Sequence, residues 1–311
     1  MDLALVDVDL RSTTAKLPVP DVSRAAVRRL ARAATAVMPV TRAAGVRVET
    51  LRSRTARVRI YRPVRQRTDA VLLWVHGGGF VIGSPRQDER HCSETAAELG
   101  MVVVSAHYRL APEHPFPAGL DDVTAAWQWL QAEAATLGVD PARVIVGGES
   151  AGGGLAACAV QRLRDQSPVQ PIGQWLFCPM LDDRTAADRA LDAVEHPVWN
   201  NTSNRVGWTA YLGQAPGAAA LPSYAVAARR DDLTGLPPSW LSVGDIELFS
   251  AEVRDYARRL EASGVPVVLD LVAGGPHGFE NWAADTAPAR MLLARARGWL
   301  AELVGAERRA G

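Results

Sequence analysis

Residues 143–163 read RVIVGGESAGGGLAACAVQRL: a short apolar run, then Gly148-Glu149-Ser150-Ala151-Gly152, then an alanine-rich stretch. No other segment narrows so far what this chain can become. A strand that passes into a helix within so few residues needs a sharp turn, with small residues on both sides of the serine to avoid clashes. A Gly-x-Ser-x-Gly pattern alone is a weak signal, but between a buried strand and a helix it is a strong one. The turn leaves the Ser150 hydroxyl exposed at the C-terminal edge of a sheet. It also sets it at the start of a helix, where N–H groups are unpaired and carry a partial positive charge.

The rest of the chain supplies such a sheet. AVLLWVH, MVVVSAHY, RVIVGG, GQWLFCP, SWLSVG and VPVVLDLV are short apolar runs without alternation. Helical stretches near 89–99, 117–137, 151–164, 249–263 and 286–304 separate them. Apolar strands alternating with helices imply an α/β fold, a mostly parallel central sheet with helices on both faces. Upstream, GVRVET and ARVRIYRP alternate apolar and charged residues, which predicts a half-exposed edge hairpin. Two segments fall outside the alternation. One is the N-terminal region, with helical spacing over 20–38. The other, roughly 184–222, is far longer than the ~2–6 residues of an ordinary αβ loop. An insertion at strand ends is the natural place for a lid, and its Trp199, Trp208 and Tyr211 are large apolar groups that need something to cover. The expected organisation is a single domain, 1–311, with a cap from about 1–44 and 184–222 and a core from about 45–183 and 223–311.

Composition excludes several classes. The 311 residues carry 34 basic and 34 acidic side chains, so formal net charge is zero and nothing points to nucleic acid or an anionic membrane as partner. The basic residues are almost all arginine, in an alanine-rich chain, a pattern of composition bias more than of a phosphate-binding surface. Cys92, Cys158 and Cys178 are an odd count without metal-ligand spacing, expected to be buried thiols. No apolar stretch approaches the ~18 residues that cross a bilayer. The first residues lack the basic-then-apolar pattern of a signal segment. A cytoplasmic protein without stable membrane insertion is the expectation.

Serine is a weak nucleophile and needs a base. Of the six histidines, His76 leads a glycine run, His91 lies on a predicted helix, and His107 ends an apolar strand. His114 is in a proline-rich loop and His196 starts the insertion. His277, in VAGGPHGFENW, follows the last predicted strand between glycines, a loop free to aim a side chain at another strand's end. In the order Ser…acid…His it is the general base. The acid that orients the imidazole should follow SWLSVG, in GDIELFSAE. Asp245 and Glu247 both qualify on position, and the residues alone leave the choice open. The run VHGGGF, residues 75–80, then finds a reason. Attack by Ser150 on an acyl carbon creates an oxyanion that backbone N–H groups must meet at ~2.7–3.1 Å. Glycine lets the main chain come that close: Gly78, Gly79 and the Ala151 N–H form the expected oxyanion hole, with Gly77 shaping the turn. A phosphate-cradling loop would need a Gly-Lys-Ser/Thr ending or a dinucleotide fingerprint, and neither is here.

HGGGF at 76–80, YRLAPEHPFPAGLDD at 108–122, GESAGGG at 148–154 and HGF at 277–279 together resemble the hormone-sensitive-lipase-like esterases (bacterial family IV) of the α/β-hydrolase fold. The resemblance spans roughly residues 60–304, and CPMLDDR and HPVWNN also look like family segments. It implies Ser150 as nucleophile, His277 as base, and Gly78, Gly79 and Ala151 at the oxyanion hole. Family members commonly carry G-x-x-D-L-F or G-x-x-D-x-L at the acid, so GDIELF favours Glu247 and leaves Asp245 in reserve. Glu149 and His107 stand where the family usually has aspartate. Neither is a triad position, so they bear on local packing or oligomer contacts more than on catalysis. Asp121 and Asp122 are expected to support the 108–117 loop without a chemical role. The family also implies a helical cap and, in many relatives, a homodimer paired through the last strand and helix.

The reading is a serine carboxylesterase acting on small-molecule esters of short to medium acyl chain, through an acyl-enzyme, with no metal or organic cofactor needed. Trp199, Trp208 and Tyr211 are the expected substrate-binding residues. An amidase or formamidase with the same triad is the alternative. A non-catalytic small-ligand receptor of this fold is the more distant one, since such receptors typically lose a triad member and Ser150, His277 and acid candidates are all present.

Overall fold

The computed structural model describes the backbone of residues 2–310 and the side chains of residues 2–305. Among them eight strands form one sheet: β1 (Val46–Arg52), β2 (Arg57–Pro63), β3 (Val71–Val75), β4 (Val102–Ala106), β5 (Val144–Glu149), β6 (Gly173–Phe177), β7 (Ser239–Gly244) and β8 (Val267–Val272). Their order is β1-β2-β4-β3-β5-β6-β7-β8. β1 and β2 form the expected antiparallel edge hairpin and β2 runs antiparallel to β4, while all the other pairs are parallel. The helices are α1 (Val8–Thr14), α2 (Ala25–Val37), α3 (Glu89–Leu99), α4 (Ala118–Leu137), α5 (Ala151–Gln166), α6 (Asp183–Ala187), α7 (Asn201–Leu212), α8 (Ser250–Ala262), α9 (Phe279–Trp282) and α10 (Ala287–Ala310).

Strand side chains alternate between two cores, as a sheet covered on both faces requires. Val71, Leu73 and Val75 of β3 enter one core with residues of α4, α5 and α8. Leu72 and Trp74 enter the other with residues of α1, α3 and α10. That second core holds an aromatic stack in which Trp175 meets Phe177 at 4.7 Å and Phe177 meets Trp240 at 4.8 Å, in the tilted and edge-on arrangements such rings prefer. β8 departs from its apolar reading. It is an edge strand paired with β7, and its Val268 and Leu271 are exposed.

The N-terminal segment divides between the faces. Asp7 N donates to the Gly274 carbonyl at 3.0 Å, and Val6 and Leu10 join the α10 core. Val22 belongs to the opposite core, and Arg32 of α2 reaches the carbonyls of Val81 and Ala111. The insertion starts at α6, whose first turn is anchored below. The buried Asp183 carboxylate pairs with Arg229, and Glu252 accepts from Leu181 N and from the Thr185 hydroxyl. Asp122 supports the 108–117 loop as expected, accepting from Arg109 N at 2.7 Å, whereas Asp121 pairs with Arg162 of α5. No described helix is long and apolar enough to cross a membrane.

Candidate active site

Four loops leave the C-terminal ends of β3, β5, β7 and β8 and meet over the sheet. β5 ends at Glu149 and α5 begins at Ala151, so a single residue turns strand into helix. That residue is Ser150, at φ 56° and ψ −122°, a backbone region that costs about 1–3 kcal/mol and persists only when its surroundings impose it. Here they do. Ser150 N donates to Phe177 O at 2.9 Å, and its carbonyl accepts from Gly154 N at 3.0 Å and Met180 N at 2.9 Å. The glycines around it are needed for space: a Cβ on Gly148 would lie 2.5 Å from Gly152 O, and Cβ atoms on Gly152 and Gly154 would overlap the carbonyls of Val75 and Met180.

His277 Nε2 lies 2.8 Å from Ser150 Oγ, and its Nδ1 lies 2.5 Å from Glu247 Oε2. All three residues are buried, and Phe249 packs edge-on against the imidazole. With Nδ1–H donating to the carboxylate, Nε2 presents its lone pair to the serine hydroxyl. The acid facing the base is therefore Glu247. Asp245 is exposed and turned away, its Oδ1 accepting from Gly274 N at 2.7 Å, so it fastens the two loops together from outside.

The register that pairs Val75 with Gly148 brings the residues after β3 alongside the serine. A Cβ on Gly77 would lie 3.4 Å from Ser150 Cβ. Gly78 and Gly79 have φ of 119° and 57°, and among the described residues no acceptor takes their N–H groups. His76 is not a rival base. Its ring is buried, stacks on Tyr108 at 4.3 Å and has Nδ1 2.8 Å from Gly77 O, and burial holds it down to about 3. His107 is held down to about 4 by burial, with Arg57 and Arg59 adding to the effect. Of the insertion's aromatics, Trp199 lies directly on Gly79, so closely that a Cβ there would overlap the indole. Trp208 and Tyr211 pack on Phe80, at 5.0 and 4.2 Å between ring centroids.

Behind the imidazole is a set of buried and half-buried acids, announced in the sequence only by the unusual Glu149. Ligand atoms of Glu149, Cys178 and Glu280 lie within 4.8 Å of one another, as do those of Cys178, Glu247 and His277. Both nitrogens of His277 are already engaged, so the second group is not free to take a metal ion. Burial pushes the Cys178 thiol well up, with the neighbouring carboxylates adding to it. Burial likewise holds Asp88 up to about 6 and Glu280 up to about 7; Glu247 and Asp88 raise Glu280 further, and His277 draws it down. A carboxyl raised in the fold binds its proton more tightly there than in the unfolded chain. The stability it contributes is complete in acid and is lost as pH rises through about 6–7. Glu280→Gln is therefore expected to raise the Tm at pH 8 by several degrees, at about 2–4 °C per kcal/mol, and to change it little at pH 5. Thermal melts at the two pH values check this, and an equal gain at both would contradict it.

A strained serine at a strand–helix turn, backed by an imidazole and a carboxylate at the edge of a mostly parallel sheet, defines a serine hydrolase of the α/β-hydrolase class. A model of the alpha/beta hydrolase fold family matches residues 72–281, and the chain belongs to that family. It is 35% identical over 233 residues to carboxylesterase NlhH of Mycobacterium tuberculosis, covering 73% of this chain and 72% of that protein. Among solved structures, a bacterial heroin esterase superposes with a TM-score of 0.90 at 34% identity, covering 98% of this chain and 99% of that one. Esterase LipW from Mycobacterium marinum gives 0.84 at 32% identity, with 97% of each chain covered. An esterase of the bacterial hormone-sensitive lipase family gives 0.77 at 31%, with 94% and 95% covered. The chain is a serine carboxylesterase related to that bacterial group, with Ser150, His277 and Glu247 as its triad.

Proposed function

We propose that the enzyme hydrolyses esters of short to medium acyl chain. The observation that carries this is the contact of Trp199 with Gly79, reinforced by Gly207 of α7, where a Cβ would lie 2.7 Å from Gly79 O. A cap seated directly on the glycine loop bounds the space above Ser150, unlike an open face on which a lipid could dock. In this reading His277 Nε2 takes the Ser150 proton as Oγ attacks the acyl carbon. The oxyanion is received by the N–H groups of Gly78, Gly79 and Ala151, which the vacant donors of the glycine loop and the start of α5 support. His277 passes the proton to the departing alcohol, and water then releases the acid from Ser150 by the same exchange in reverse. Trp199 bounds the substrate space at Gly79, and Trp208 and Tyr211, packed on Phe80, belong to the same substrate-binding wall. Of the expected cap, about 1–44 and 184–222, this reading keeps the insertion and α2, since Val6 and Leu10 pack with α10 while Arg32 reaches Val81 and Ala111.

Two further features belong to the proposal. Cys92, Cys158 and Cys178 are buried free thiols, in keeping with a reducing, cytoplasmic compartment. The exposed Val268, Leu271 and Met291 along β8 and α10 are in keeping with pairing of two copies at that edge.

The test is turnover of acetyl, butyryl, octanoyl and palmitoyl p-nitrophenyl esters. We expect kcat/KM to peak at acetyl to octanoyl and to fall at least tenfold at palmitoyl. Fastest turnover of the palmitoyl ester would overturn the chain-length reading and leave the triad untouched.

A further inference from the structure

The side-chain amide of Asn281 lies where three of the catalytic loops meet. One hydrogen of its Nδ2 goes to Glu149 Oε2 and the other to Asp88 Oδ1, each at 2.9 Å. Glu149 immediately precedes the nucleophile. Asp88 accepts, through its other oxygen, the indole N–H of Trp74 at 2.7 Å, and Trp74 is the β3 residue two places before His76 and the glycine run. Asn281 itself is on α9, four residues beyond His277, and the neighbouring Trp282 indole N–H donates back to the His277 carbonyl at 3.0 Å. One carboxamide thus ties the nucleophile turn, the base loop and the root of the glycine loop together.

We propose that Asn281, acting through Glu149 and Asp88, is the positioning residue that sets the distance from the His277 imidazole to Ser150.

The fit is specific to this chain's glutamate. Its carboxyl passes beneath the base loop, where a Cβ on Gly278 would lie 2.8 Å from Glu149 Oε1. An aspartate, one methylene shorter, would retract its carboxyl by about 1.5 Å and would not span both contacts. The hydrogen bonds are closed in: Asp88 and Trp74 are fully buried, and Asn281 is half-buried. In such a setting a lost partner leaves a carboxyl oxygen without a donor. Burial, with Asp88 and Glu280 adding to it, pushes the Glu149 carboxyl well above the usual carboxylate range. Its Oε2 accepts from Asn281, a contact that the amide oxygen in Glu149→Gln can keep. A nucleophile–base distance relaxed by a few tenths of an ångström lowers the rate of proton transfer without altering where the substrate sits.

The inference rests on the triad and is independent of the acyl-chain reading. Its test uses p-nitrophenyl acetate hydrolysis, together with the rate at which a fluorophosphonate labels Ser150. Asn281→Ala is expected to lower kcat 10–100-fold with KM within twofold of the parent, and to slow labelling by a similar factor. Glu149→Ala should behave alike, and Glu149→Gln should stay within about threefold of the parent. The Glu149→Ala/Asn281→Ala pair should be no slower than the worse single variant, because both remove one connection. Asn281→Ala with kcat within twofold of the parent would overturn the proposal, as would a double variant slowed by the product of the single effects. Should Asn281→Ala fail to fold, the two Glu149 variants decide: equal kcat for Glu149→Ala and Glu149→Gln would sink the idea.

Discussion

Ser150→Ala is expected to abolish covalent labelling by fluorophosphonates and to lower kcat for p-nitrophenyl esters by about 10⁶-fold. The hydroxyl is the atom that becomes bonded to the acyl group, so no neighbour can replace it. What survives is the ~10³–10⁴-fold acceleration over water that binding and oxyanion stabilisation provide without a nucleophile. The fold should be unaffected, since the Ser150 interactions that hold the turn are made by its backbone N–H and carbonyl. Intact-mass measurement after exposure to the probe checks the result. Stoichiometric labelling of the alanine variant would place the nucleophile elsewhere.

The second large effect separates two acids that stand two residues apart. Glu247→Gln is expected to lower kcat by about 10³–10⁴-fold, because an amide NH₂ can face Nδ1 and favour the imidazole tautomer whose Nε2–H cannot accept the serine proton. Asp245→Asn should leave kcat within about threefold, its contact being an accepted hydrogen bond from Gly274 N on the outside of the loop. A steady-state comparison of the two variants is decisive: comparable losses would mean that Asp245 serves the imidazole too.

The difficulty of that choice shows where local pattern stops being informative. The mostly parallel sheet was legible because each strand must be apolar on both faces and each helix must cover it. Ser150 and His277 were legible because a strand–turn–helix and a glycine-flanked loop after the last strand leave few alternatives. That residues 77–79 lie beside Ser150 was legible because a glycine run at the end of one central strand faces the turn at the end of its neighbour. Asp245 and Glu247, by contrast, differ only in the direction their side chains take after Gly244, which the packing of β7 against β8 decides. The N-terminal segment stood apart only as one region outside the strand–helix alternation, yet Val6 and Leu10 pack with α10 while Val22 joins the opposite core. Asn281, Asp88 and Glu280 carried no signal at all. They meet through tertiary contacts between segments almost 200 residues apart, and no periodicity records such a meeting. Only the departure from aspartate at Glu149 hinted that something unusual was packed beside the serine.

The crowding of main chain on main chain around the serine also bears on how a mutational scan of this enzyme would read. Gly148, Gly152 and Gly154 have no side chain with which to move a proton, yet even a methyl group at any of them would meet a carbonyl of a neighbouring segment. Saturation libraries scored by turnover would rank these positions beside the triad itself. Scored instead by the amount of folded protein recovered, they would part company with Ser150: the glycine variants would be lost from the soluble fraction, and the serine variant would be abundant and inert.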